Sequence, residues 1–180
     1  MIKRIKNSKA TKIAYMGLLF ALSITLSFIE SIIPFTGIFP PGVKLGLSNV
    51  VTMYMLFFVG AGQAFTLVVL KSFFVFLIRG FVSSVMSFSG GILSVAVMLI
   101  VLAVFKKREA YLLLSICGAV SHNIGQLFAS VLVLANAKVL WYFPPLFVSG
   151  ILMGVLTSLV LKAVLPAIKK AIDIDIIKGE

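Results

Sequence analysis

Residues 111–134 contain no charged side chain. About 20 apolar residues, at ~1.5 Å of rise each, cover the ~30 Å hydrocarbon layer of a bilayer. Further apolar runs fall at 13–33, 45–59, 63–79, 84–105 and 145–165. A backbone in hydrocarbon has no water to bond, so long apolar runs of this kind must satisfy their own N–H and C=O groups as helices. The expected fold is an all-α membrane protein, a bundle of six transmembrane helices. A basic lead over 1–12 precedes the helical domain at 13–165, and an amphipathic tail opened by Pro166 follows over 166–180.

Charge placement sets the expected orientation. The chain of 180 residues is 61% hydrophobic and 12% charged, with a net charge of +11; soluble domains carry about 25% charged residues. Such a positive balance would suggest nucleic acid in a soluble protein. Here Lys3, Arg4, Lys6, Lys9 and Lys12 lie in the lead, Lys106, Lys107 and Arg108 in one loop, and Lys162, Lys169, Lys170 and Lys178 toward the end. Of the 16 basic residues, only Lys44, Lys71, Arg79 and Lys138 fall elsewhere. The excess of Lys and Arg on cytoplasmic segments accounts for this pattern. The chain is therefore expected in the cytoplasmic membrane, multi-pass, with both termini inside and the bilayer, not nucleic acid, as its surroundings. Cys117 is the one cysteine and reads as a small apolar filler.

Polar residues at membrane depth usually face a protein interior and are functional candidates. His122, the one histidine, lies with Asn123 and Gln126 inside the run at 111–134. On a helix His122 and Gln126, four apart, share a face. Gly118, Ala119 and Gly125 around them permit close approach. Counting ~1.5 Å per residue from the inner side puts His122 ~16 Å up, Lys71 ~12 Å and Gln126 ~22 Å. Glu30, Lys44, Asn49, Arg79 and the Ser89-Gly90-Gly91 corner fall in the outer half. The expected site is an outward-facing pocket lined by Glu30, Lys44, Asn49, Lys71, Ser89, Gly90, His122, Asn123 and Gln126. The Pro- and Gly-rich segment 34–44 is expected either to cover it as a lid or to lie at the interface as an aromatic anchor. Lys44, Lys71 and Arg79 outweigh Glu30, which points to an anionic small-molecule substrate. The competing reading is that the polar residues only hydrogen-bond neighbouring helices. Lys71 then pairs with Glu30, the one acid in the membrane region.

The blocks Pro41-Gly42-Val43-Lys44-Leu45-Gly46-Leu47-Ser48-Asn49, Ser89-Gly90-Gly91-Ile92-Leu93-Ser94 and His122-Asn123-Ile124-Gly125-Gln126 resemble one family. It is described both as a Gx transporter family and as heptaprenyl diphosphate synthase component I. The resemblance extends from about Ala14 to Leu165. That family is in turn similar to the substrate-binding S components of energy-coupling factor (ECF) transporters. The resemblance implies capture of a vitamin or similar micronutrient from outside, with a transmembrane T component and two cytoplasmic ATPases as partners. It assigns T-component docking to the small residues Ala14, Gly17 and Ala21 of the first helix.

The synthase description implies prenyl diphosphate chemistry, which needs paired carboxylates to hold Mg²⁺ on diphosphate. The membrane region has no acidic pair; Asp173 and Asp175 lie in the tail. No enzymatic role, metal site or bound cofactor is therefore expected. The leading reading is an ECF-type capture subunit for a flavin- or quinone-precursor-like anion. The alternatives are a non-catalytic membrane partner of isoprenoid, quinone or electron-transfer enzymes, and a proton-coupled carrier using His122.

Overall fold

A computed structural model describes residues 9–32, 47–105 and 111–171, all but a few of them helical. In chain order these are α1 (Lys9–Ile32), α2 (Leu47–Phe58), α3 (Ala61–Phe105), α4 (Tyr111–Leu134), a 3₁₀ helix (Ala137–Tyr142) and α5 (Phe143–Ala171). Ala61–Phe105, Tyr111–Leu134 and Ala137–Ala163 are long and apolar enough to cross a membrane. Ile13–Ile29 and Ser48–Phe58 are shorter apolar helices.

In α3 the sequence suggests two helices parted by a turn at 80–83; two helical arms are present and the break stands at Gly80, but helical backbone resumes at Phe81. Gly80 alone breaks the pattern, with φ 80 and ψ −178. That conformation belongs almost only to glycine. A straight helix of 45 residues would run ~68 Å, about twice the hydrocarbon thickness. The two arms instead fold back on one another. Ser84 Oγ donates to the Ser72 carbonyl at 2.8 Å, and Gly91 lies so close to Val68 that a Cβ there would sit 2.5 Å from Cγ1.

α4 packs between the second arm of α3 and α5, antiparallel to both. Gly118 faces Met98 and Ser94, and Gly125 faces Ser89 and Gly90. On the other side Gly150 meets Val120, and Gly154 meets Ile116. Each close pair uses a glycine, because only a missing side chain lets two backbones approach this far. Serines add hydrogen bonds along the same seams: Ser94 Oγ donates to Gly118 O at 2.8 Å and Ser115 Oγ to Gly154 O at 2.6 Å.

The C-terminal end of α2 and the N-terminal end of α4 meet in an aromatic group. Tyr54 stacks near Phe58 at 4.9 Å, and Phe57 meets Tyr111 edge-on at 5.1 Å. Tyr15 of α1 donates to Tyr54 at 2.8 Å. The core joins Met53, Met55, Leu67, Met98, Leu114 and Leu161, while Leu132 and Trp141 are 81% and 85% exposed. Serines are buried and large apolar side chains face outward, the arrangement expected of a chain surrounded by hydrocarbon.

α5 differs from expectation at both ends. It begins at Phe143, so Pro144 and Pro145 lie in its first turn, where the missing N–H groups would have no helical partner anyway. It then continues through Pro166 to Ala171 instead of stopping there; proline costs one hydrogen bond and a clash one turn back, but does not force a stop. The rest of the expected tail, the lead over 1–8 and the segment 33–46 lie outside the described residues.

Candidate functional site

Four chain segments bring polar side chains to one point. α2 presents Asn49 and Thr52, the first arm of α3 presents Lys71, the second arm presents Ser87 and Ser94, and α4 presents His122. With Val68 and Gly91 these enclose a cavity of about 10 Å³. That is room for roughly one water molecule. In this closed form the chamber holds no micronutrient-sized molecule.

Lys71 is 9% exposed. Its Nζ donates to Ser48 Oγ across the α2–α3 interface. α2 and the first arm run antiparallel, so a lysine ~15 Å along its helix from Ala61 lies level with the start of α2. The Gln126 amide nitrogen lies 3.0 Å from His122 Nε2. Which of the two groups donates follows the tautomer of the ring and the orientation of the amide. Gly90 makes this pairing possible: a Cβ there would lie 2.8 Å from Gln126 Cγ and 3.0 Å from His122 Cε1.

Asn49, Lys71 and His122 thus meet at the chamber, with Gly90 and Gln126 adjoining it. Ser89 contributes its carbonyl to the contact with Gly125. Asn123 turns the other way. Its Nδ2 donates to Leu146 O at 3.0 Å, tying α4 to the first turn of α5. Lys44 lies outside the described residues; Glu30 lies on α1, its side chain outside them. Sequence reasoning passed over Ser48, Thr52, Ser87 and Ser94. A signal existed for the last two: Ser87, Gly91 and Ser94 fall at i, i+4 and i+7, one small polar stripe of a helix.

A second cavity, of about 30 Å³, lies between α1 and the first arm of α3. Ile24, Ser27 and Phe28 form one wall; Lys71, Phe74, Val75, Ile78 and Arg79 form the other. On the outer surface of α1, Ala14, Gly17 and Ala21 are all exposed, and nothing lies within 4 Å of a Cβ built on Gly17. Among the described residues no three His, Cys, Asp or Glu side chains gather to hold a metal ion.

No curated protein and no solved structure matches the chain. The family model for heptaprenyl diphosphate synthase component I matches residues 19–164. That span takes in α2, both arms of α3, all of α4 and every described residue of the polar chamber. The chain belongs to the heptaprenyl diphosphate synthase component I family.

Proposed function

We propose that this chain is the substrate-capturing membrane subunit of an ECF-type uptake transporter, taking a small anionic micronutrient or cofactor precursor from outside the cell. The observation that carries the reading is the convergence of Lys71, Ser48, Asn49, Thr52 and His122 on one chamber. An ammonium at the centre of a membrane helix costs about 2.5–3.5 kcal/mol on insertion scales. A role at a ligand gives a reason to keep it. Counted separately, the two arms of α3 bring the apolar segments to six, which returns both termini to one side, and the basic residues assign that side to the cytoplasm. The exposed Ala14-Gly17-Ala21 face is the docking surface for the T component, and the cytoplasmic ATPases complete the transporter.

The 10 Å³ chamber requires a rearrangement before a ligand enters. The same small volume favours a second reading, in line with the family's description. In it the polar cluster only joins helices, in a non-catalytic partner of isoprenoid or quinone biosynthesis. Native mass spectrometry of the protein, purified gently from its own membrane, separates the two. Copurification of a T component, ATPases and a bound small anion is the expected result. An empty chain attached to a soluble synthase overturns the transport reading.

A further inference from the structure

Lys71 lines both cavities. It borders the closed polar chamber with Asn49 and His122. It also closes the inner end of the trough formed by Ile24, Ser27, Phe28, Phe74, Val75, Ile78 and Arg79. On the first arm, Lys71, Val75 and Ile78 fall at i, i+4 and i+7, so they form one stripe facing α1. Arg79 stands at the end of that stripe, beside the turn at Gly80 and ~12 Å along the helix from Lys71. Among the described residues, the side chains lining the trough include two basic ones and no acidic one. Its walls are otherwise apolar apart from Ser27. Phe28 and Ile78 are 59% and 58% exposed, so the trough is open along the outward-facing apolar side of the bundle.

We propose that this trough is the membrane-side mouth of the polar chamber, and that the ligand is a single-chain amphiphile with a small anionic head. The inference rests on the capture reading above and names the substrate class of the same site. Arg79 meets the phosphate or carboxylate at the end of the trough. The head then passes along the stripe to Lys71, Ser48 and Asn49. The chain remains between α1 and α3, against Phe28 and Phe74. The gap of about 30 Å³ between the two helices leaves no room for a second chain beside the first. The chamber of about 10 Å³ must widen to admit even a compact head. Charge complementarity comes from Arg79 at the mouth, and the hydrogen-bond donors come from the chamber wall.

The test measures binding of dodecyl phosphate to the purified full-length protein in neutral detergent. Dodecyl maltoside serves as the uncharged competitor and phosphatidylglycerol as the two-chain competitor. Wild type should bind dodecyl phosphate in excess maltoside and resist displacement by phosphatidylglycerol. Ile24→Trp, which fills the trough without touching the chamber, and Arg79→Gln should each raise Kd by about tenfold or more. Phe147→Trp on α5 should leave it unchanged. Should Ile24→Trp destabilise the fold, Ser27→Leu narrows the same wall with a smaller side chain. Displacement by phosphatidylglycerol at equal concentration would show an ordinary lipid site and overturn the proposal. Tight binding that survives the trough variants and is lost in Asn49→Ala would mean that the head arrives by another route. If wild type binds no dodecyl phosphate yet copurifies with a soluble anion and ATPases, this inference fails and the capture reading stands.

Discussion

Lys71 Nζ donates to Ser48 Oγ from a side chain that is 9% exposed, at a depth where hydration gives little relief. A lysine at the centre of a membrane helix costs about 2.5–3.5 kcal/mol on insertion scales, which an apolar residue of similar volume avoids. Lys71→Met should therefore unfold at the same temperature as wild type or a higher one, while losing its bound ligand. Ser48→Ala removes an acceptor from the ammonium, and a hydrogen bond to a charged group is worth about 1.5–3 kcal/mol. A clear drop in unfolding temperature is expected, and thermal scans of the two variants in one detergent check the pair. Ligand retained at the wild-type level by Lys71→Met would remove Lys71 from the site. Gly80 is a different case, since a Cβ there meets nothing within 4 Å. Its constraint is the backbone, φ 80 with ψ −178, a region that costs other residues about 1–3 kcal/mol. Gly80→Ala should destabilise by that amount despite the open space; a neutral result would show that the turn relaxes.

Among the elements, α4 makes close backbone contacts on two sides. A Cβ on Gly125 would stand 2.8 Å from Ser89 O and 2.9 Å from Gly90 Cα. Both are backbone atoms, which cannot swing aside as a side-chain tip would. Gly125→Ala should push α4 off the second arm of α3 and cost about 1–3 kcal/mol. Because His122 and Gln126 flank that contact, it should also loosen ligand binding. Gly17 on α1 makes the opposite prediction, having nothing within 4 Å. Gly17→Trp should leave the unfolding temperature unchanged and prevent copurification of the T component. Retention of the T component by this variant would place the docking face elsewhere. α1 is not isolated from the chamber: the Tyr15–Tyr54 bond fastens it to α2, the helix that carries Ser48, Asn49 and Thr52.

For the whole molecule, the proposed topology depends on the fold of α3. With Cys117 replaced by Ala, cysteines introduced at Lys107 and Lys138 should label from opposite faces of the membrane. A membrane-impermeant maleimide added to intact cells should modify Lys138→Cys and spare Lys107→Cys. Labelling of both from outside would contradict the inside placement of the basic loop and with it the direction of capture.

Much of this was legible in the chain. Apolar runs set the class, because hydrocarbon leaves a backbone few ways to satisfy itself. α4 spans the apolar run at 111–134, and Lys71 and His122 stood out because polar groups at that depth are rare and costly. Other features depend on two segments meeting. The turn reduced to Gly80 alone exists because the arms pack as close as Gly91 on Val68. Ser48 and Ser94 look like ordinary small residues until Lys71 and Gly118 face them. Asn123 and Gln126 are three apart on one helix, yet one joins α5 and the other His122. Helical spacing assigns a residue to a face, but only the neighbouring helix determines what that face touches.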